Sequence, residues 1–330
     1  MTSADLFPEH FIYVLPTPSN YIGAKKIFYP EGENSSMLKF IKDIKEPNVE
    51  ELKAMEPEER LFRKLYYKHP KEWEGELPDS LTESIYCYMV ANAVRDLRGD
   101  SKAPRTMMIN VSRFVKVQRY LKKQVEDIVS SIHSAVDCDF HENNKKNQDL
   151  PVYQKFVEVW NKHFGNLGLD QEFVINKKAL LDAIDKIQVV IVNSDKDSMK
   201  LDYKKYPSMR IIAIGGLALS RGLTLKGLMT SYFYRNTSTF DVLMQMGRWF
   251  GYRPNYDDLC QIWTSHTSAR WYEEITRSTE ELKDDIRQMF EEKMTPKEFG
   301  IKVRDESDDL QITAYNKMRT SFKRTEYLTF

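Results

Sequence analysis

The sequence predicts an α/β fold: a mostly parallel sheet flanked by helices, with a helical insertion and a helical C-terminal tail. Two observations carry this. Apolar runs of strand length recur at 106–112, 187–193, 210–215, 228–234 and 259–264, about five in all. Segments of helical period alternate with them, which is how a parallel sheet covered on both faces is written in sequence. A third observation adds the insertion. The stretch from about 130 to 186 is too long for one crossover between neighbouring parallel strands.

Residues 10–29 read as a strand, a proline-punctuated turn and a short aromatic segment. Residues 31–80 are charged and contain prolines, so they form a connector with one helix near 57–68. Ser80 and Glu83 have the spacing of a capping box, and Ile85, Met89, Ala93 and Leu97 then recur at helical period as far as Gly99. The run from Thr106 to Ser112 is a strand. Ser112 is placed to cap the amphipathic crossover helix of Phe114, Val117, Leu121, Val125 and Ile128. Residues 137–150 are polar and loop-like, and two helices follow at 151–165 and 177–187. The remaining strands come next, then a charged amphipathic helix over 270–293. The expected organisation is therefore a connector at 1–79, an α/β lobe at 80–269 and a helical extension at 270–330.

The chain has 330 residues, enough to bury a full core. Basic and acidic residues balance at 49 each, so no global field draws it to nucleic acid or anionic lipid, and any such contact must be local. Cys87, Cys138 and Cys260 are far apart and odd in number, which argues against a disulfide framework. No signal peptide is visible and no run reaches the ~18 apolar residues of a membrane helix. The expectation is a soluble cytoplasmic protein with no membrane partner.

The chemistry is concentrated in 209–256. In open parallel sheets, ligands sit beyond the carboxyl ends of the strands. Gly215 and Gly216 fall at such an end, where glycine permits positive φ and close approach. Ser112, with Arg113 behind it, falls at another. Ser220-Arg221-Gly222 brings a guanidinium to the same edge, and arginine matches phosphate in a bidentate fork. A second capping box, Ser238 with Asp241, opens a short helix expected to carry Gln245, Gly247 and Arg248 and to end at Gly251. Leu243, Met246 and Phe250 would form its buried stripe. Gly247 would leave room between Gln245 and Arg248, and Arg253 would turn back to the edge. Fixed positive charge of this kind stabilises a transferring phosphoryl group.

These residues carry a resemblance. Ser220-Arg221-Gly222-Leu223-Thr224 resembles motif V of superfamily-two helicases, and Gln245-Met-Gly247-Arg248-Trp-Phe-Gly251-Tyr-Arg253 resembles motif VI. The strand and helix at 106–128 resemble the opening of the second RecA-like lobe. The wording LSRGLTLKGL followed by MQMGRWFGYR is more specific. With LPTPSNYIG at 15–23, it resembles the Z-one domain, found in restriction-associated helicase-like proteins and often labelled an endonuclease. The resemblance implies a RecA-like second lobe. Its arginine finger would be Arg248 or Arg253, with Gln245 beside it. Gly216, Arg221, Gly222 and Thr224 would be on the nucleotide or interlobe face. Ser112, Arg113 and Arg221 would be on DNA phosphate. Motif VI departs in having Gly247 one place early and an extra residue before Arg253, and Thr224 stands where many helicases have Asp.

No G-x-x-x-x-G-K-[ST] occurs in the sequence, so the loop that would hold the phosphates and Mg²⁺ of ATP is missing. Asp305-Glu306-Ser307-Asp308 spells D-E-x-D but follows motif VI. ATP and Mg²⁺ are therefore expected only alongside an upstream RecA-like lobe, in the same protein or in trans. The other implied partners are DNA, bound through phosphate without sequence preference, and restriction-system subunits. Two readings compete. One is an endonuclease; however, E-x-K at Glu51/Lys53, Glu281/Lys283 and Glu291/Lys293 reads as solvated surface, and the cluster of His133, Asp137, Cys138, Asp139, His141 and Glu142 lacks zinc spacing. The other is a non-catalytic docking or regulatory module. Ser265-His266 reads as loop, Trp249 and Phe250 as packing, and of Tyr232, Phe233 and Tyr234 at least one belongs to the core.

Overall fold

The computed structural model describes residues 10–44, 75–192, 201–219, 224–234 and 240–299. Six parallel strands form one sheet in the order β1-β6-β5-β2-β4-β3. The strands are β1 (Leu38–Phe40), β2 (Arg105–Asn110), β3 (Ile187–Val192), β4 (Arg210–Gly215), β5 (Leu228–Phe233) and β6 (Gln261–Thr264). The α/β architecture with a mostly parallel sheet is as the sequence predicts, and it agrees with a RecA-like lobe. The sixth strand is the addition. β1 lies in the segment read as connector and pairs with β6 at the sheet edge; three residues are too few to carry a period.

The central strands explain themselves. β2, β4 and β5 are buried at every position, because helices cover both faces. Tyr232 and Phe233 are consequently both core residues, one in the cluster on each face. The first face is covered by α2 (Asp79–Leu97), α3 (Val115–Cys138), α4 (Pro151–His163), α5 (Gln171–Val174) and α6 (Lys177–Ile184). The second is covered by α1 (Ala24–Phe28), α7 (Phe240–Met246) and α8 (His266–Glu291), and a short α9 (Pro296–Phe299) follows.

α2 has the apolar residues expected at helical period, and it is buried all round from Ser84 to Arg95. The helical insertion is the reason: α4 and α6 pack on its outer side, converting a surface helix into a core one. Its start also differs. Pro78 is the N-cap, the Ser80 hydroxyl donates to Asp43 at 2.7 Å, and Glu83 bonds His163 at 2.6 Å, so the pair forms no capping box. Ser112 likewise is not the cap of α3. Phe114 holds that position, and the Ser112 hydroxyl accepts from the Phe114 N–H at 3.1 Å to turn the chain just before the helix.

Other boundaries moved. Residues 11–18 form no strand, and Ile22 makes a single antiparallel bridge to Gly251 instead. Ser265 and His266 are no loop: the Ser265 hydroxyl caps α8 by accepting from the Ser268 N–H at 3.0 Å, and His266 stacks on Phe40 at 3.9 Å. α7 ends at Met246, so Gly247 and Arg248 lie beyond it, and Gly251 terminates no helix. The helix expected at 57–68, Ser238 and the 305–308 tetrad lie outside the described residues.

At the amino ends of the strands the structure places a buried ionic network. Arg105 and Arg210 open adjacent strands and stand opposite each other in register. Both are buried, and both reach Asp96 near the end of α2, Arg105 at 2.7 Å and Arg210 at 2.8 Å. Arg210 also donates to the carbonyls of Asp182 and Ala183, which are free at the end of α6. Arg105 donates to the Asn92 and Asp100 carbonyls, and Arg95 pairs with Asp100.

Candidate functional site

β2 is the centre of the sheet and its switch point. From it the chain runs to β3 and β4 on one side, then to β5 and β6 on the other. The carboxyl ends of β2, β4 and β5 therefore bound the crevice where ligands enter open α/β sheets.

Gly215 and Gly216 line it, for a steric reason and not the conformational one expected. Neither has positive φ. A Cβ on Gly215 would lie 2.4 Å from the Val192 carbonyl oxygen and 2.8 Å from Leu219 Cγ. A Cβ on Gly216 would lie 3.0 Å from both the Ser112 carbonyl oxygen and Arg113 Cα. The two loop tips touch through Gly216. Gln118 ties the contact, its Nε2 donating to the Ser112 carbonyl at 3.0 Å while its buried Oε1 has no partner. Ser112 is itself buried, so its hydroxyl shapes the loop and is not presented to a ligand. Arg113 is exposed, with its guanidinium 5.0 Å above the Phe114 ring.

Asn110, the last residue of β2, is a feature the sequence did not single out. It is fully buried, and among the described residues neither atom of its carboxamide has a hydrogen-bond partner. Met107 and Ile109 belong to the core on the first face and Met108 to that on the second, so alternation turns Asn110 to the second face. There it lies opposite Phe233. An asparagine inside an apolar strand run was its only signal in the sequence.

Arg248 is on the same face. Its Nε donates to the Leu219 carbonyl at 2.7 Å, and Leu219 packs over Gly215. It is partly buried, and burial draws its pKa below the ordinary arginine value, which still leaves it charged. Among the described residues its Nη atoms have no hydrogen-bond partner.

Arg253 is elsewhere. Its Nη2 donates to the carbonyls of Arg248 and Trp249 at 3.2 Å and its Nη1 to that of Tyr252 at 2.9 Å, so the guanidinium ties the turn that follows α7. It lines a small cavity with Leu228, Met229, Cys260 and Gln261, at the amino ends of β5 and β6. The expectation that it turns back to the carboxyl edge is thus corrected. Gly247 does not open space between Gln245 and Arg248 either: a Cβ there would lie 2.5 Å from the Phe250 ring. Gln245 and Thr224 are exposed. Arg221 and Gly222 lie outside the described residues.

Trp249 and Phe250 pack as expected, in an aromatic cluster with Phe28, Phe233 and Tyr272. The Tyr272 hydroxyl reaches back to the Leu243 carbonyl at 2.7 Å. The motif around Arg248 is therefore set on an aromatic floor shared by α1, β5 and α8.

A family model of the Z1 domain matches residues 80–310. The chain belongs to the Z1 domain family. No curated protein and no solved structure matches it. The Z1 match begins within α2, so it excludes α1, β1 and the 15–23 stretch whose wording resembles the start of the domain. No described helix of this Z1 domain is long and apolar enough to cross a membrane. Among its described residues no three His, Cys, Asp or Glu side chains are gathered as a metal ion would require, the 133–142 cluster included.

Proposed function

We propose that this Z1 domain acts as the second lobe of a DNA-dependent, ATP-driven machine of the restriction or phage-defence type. Arg248 would be its arginine finger, completing an ATP site whose phosphate-holding loop belongs to a partner lobe. The observation that carries this reading is the state of Arg248. Its guanidinium is held at one end by the Leu219 carbonyl while its Nη atoms lack partners among the described residues. A structural arginine spends its donors on carbonyls, as Arg253 does. A finger must keep them for the charge that develops on a transferring phosphoryl group.

The crevice supports the assignment chemically. Gly216 keeps a side chain out of the contact between the two loop tips, and Asn110 adds an unpartnered amide on the Arg248 face. ATP bound across the two lobes would supply the phosphoanhydride, and this chain's part is to hold positive charge at a fixed place. Mg²⁺ and the phosphate cradle fall to the other lobe. Arg113, exposed beside the loop tips, is the DNA-phosphate contact on this side.

The test is to mix this chain with the Walker-A-bearing lobe and measure DNA-stimulated ATP hydrolysis. Wild type is expected to raise the rate, and Arg248→Ala to abolish the gain by on the order of 10³. Hydrolysis indifferent to Arg248→Ala would remove the finger assignment. Mg²⁺-dependent cleavage of plasmid DNA by this chain alone would replace the motor with a nuclease.

A further inference from the structure

We infer that the N-terminal arm, residues 21–28, is a positioning element for Arg248, although it lies outside the stretch that defines the family. The inference rests on the reading of Arg248 above for its functional consequence but not for its structural one.

The arm meets the Arg248 turn at three levels. In the backbone, Ile22 and Gly251 exchange hydrogen bonds, each N–H donating to the other's carbonyl at 3.0 Å. This is an isolated antiparallel bridge that lies outside the parallel sheet. In the side chains, Tyr21 meets Tyr252 edge-on at 5.4 Å. One turn further along, Phe28 is buried against Trp249 and Phe250 and stacks on Tyr272 at 4.6 Å.

The turn needs such support because of how it is built. α7 ends at Met246, and the residues after it have no helical ladder to hold them. Gly251 has φ of +135°, a conformation that only glycine adopts readily. Side chains anchor the segment through the Arg248–Leu219 bond and the packing of Trp249 on Phe233 and Tyr272. Its backbone is tied twice, by Arg253, which gathers the carbonyls of 248, 249 and 252, and by the arm, which holds Gly251. Arg253 is an internal tie and moves with the turn. The arm is the backbone tie that comes from outside the turn, since α1 is packed along α8 and so is fixed to the body of the domain. Without it the turn is referred to the sheet by side chains alone. A guanidinium displaced by about 1 Å at a phosphoryl-transfer site forfeits rate on the order of 10²-fold.

The experiment compares four variants in the full chain. Ile22→Pro removes the N–H that donates to Gly251, Ile22→Ala keeps both backbone bonds, and Phe28→Leu keeps apolar bulk where Phe28→Ala does not. Amide exchange at residues 247–252 is expected to quicken on the order of tenfold or more in Ile22→Pro and Phe28→Ala, with β2 and β4 unchanged. Ile22→Ala and Phe28→Leu should stay near wild type. With the partner lobe, Ile22→Pro should lower kcat with KM for ATP unchanged. Unaltered exchange at 247–252 overturns the proposal. So does protection lost equally from β2 and β4, which would make the arm part of the general core. Exchange needs no nucleotide, so a wild type that never hydrolyses ATP would sink the motor reading while leaving the arm's role decided separately.

Discussion

The two ends of this sheet solve the problem of buried polar groups in opposite ways. At the amino ends, Arg105 and Arg210 are as buried as any leucine in the protein, yet their terminal nitrogens find Asp96 or a carbonyl. At the carboxyl ends, Asn110 is equally buried and without a side-chain partner among the described residues, Gln118 is half satisfied, and Gly216 lets the loop tips touch. The amino end is not free of gaps, since Arg105 Nε, Arg210 Nε and Asn92 Oδ1 are buried without partners among the described residues. The difference is that its charges are paired, while the Asn110 amide meets nothing at either atom. A satisfied network rigidifies, whereas an unsatisfied one costs on the order of 1–3 kcal/mol per group until something meets it. The paired charge thus lies at the amino end and the unpartnered amide at the carboxyl end, on the face that carries Arg248.

Three perturbations break or sharpen this contrast. The largest effect should come from Asp96→Asn. It leaves two buried guanidiniums facing a neutral amide, and an uncompensated buried charge costs about 3–5 kcal/mol. Urea denaturation should show a midpoint lowered accordingly with little change in slope; an unchanged midpoint would mean the network is ornamental.

Next is a pH effect on the first face, where Glu83 sits between His163 and Lys162, each at 2.6 Å. Burial alone would raise its pKa, but hydrogen bonds from both partners outweigh it and hold the carboxyl down at about 2. A depressed carboxylate contributes stability that is complete above its unfolded value and is lost as pH falls toward the folded one. The domain should therefore lose about 2 kcal/mol between roughly pH 4.5 and pH 2 through this group. Glu83→Gln should flatten that part of the stability profile, and an unaltered profile would show that the triad does not stabilise the fold.

The smallest effect, and the opposite in sign, is expected for Asn110→Leu. Replacing an unsatisfied amide by an apolar group of similar size should be neutral or stabilising by up to about 1 kcal/mol. A thermal midpoint equal to or above wild type sustains the contrast. A drop like that of Asp96→Asn would mean Asn110 is satisfied in solution, and the two ends would no longer differ.

The sheet was legible because its strands carry uninterrupted apolar runs, and β2, β3, β4 and β5 fall within two residues of their expected bounds. β1 was not, because three residues with Lys39 at the centre have no periodicity to read. The edge glycines and Arg248 were visible as residue types in order. What order could not convey is which way an arginine turns. Arg248 and Arg253 are separated by four residues and turn different ways: Arg248 reaches the Leu219 carbonyl beside Gly215, while Arg253 folds back on the carbonyls of 248, 249 and 252. The ionic network was invisible for a related reason: Asp96, Arg105 and Arg210 are joined only by strand register.

The bridge from Ile22 to Gly251 has a consequence in time as well as in space. It closes a loop of more than two hundred residues with two hydrogen bonds, and such a contact repays its entropy only after the intervening sheet has formed. The turn bearing Arg248 is then among the last parts of the domain to order. On a chain emerging from its N-terminus, the arm has nothing to grip until almost the whole domain has been made. A half-built or clipped molecule would present its loop tips without a fixed Arg248.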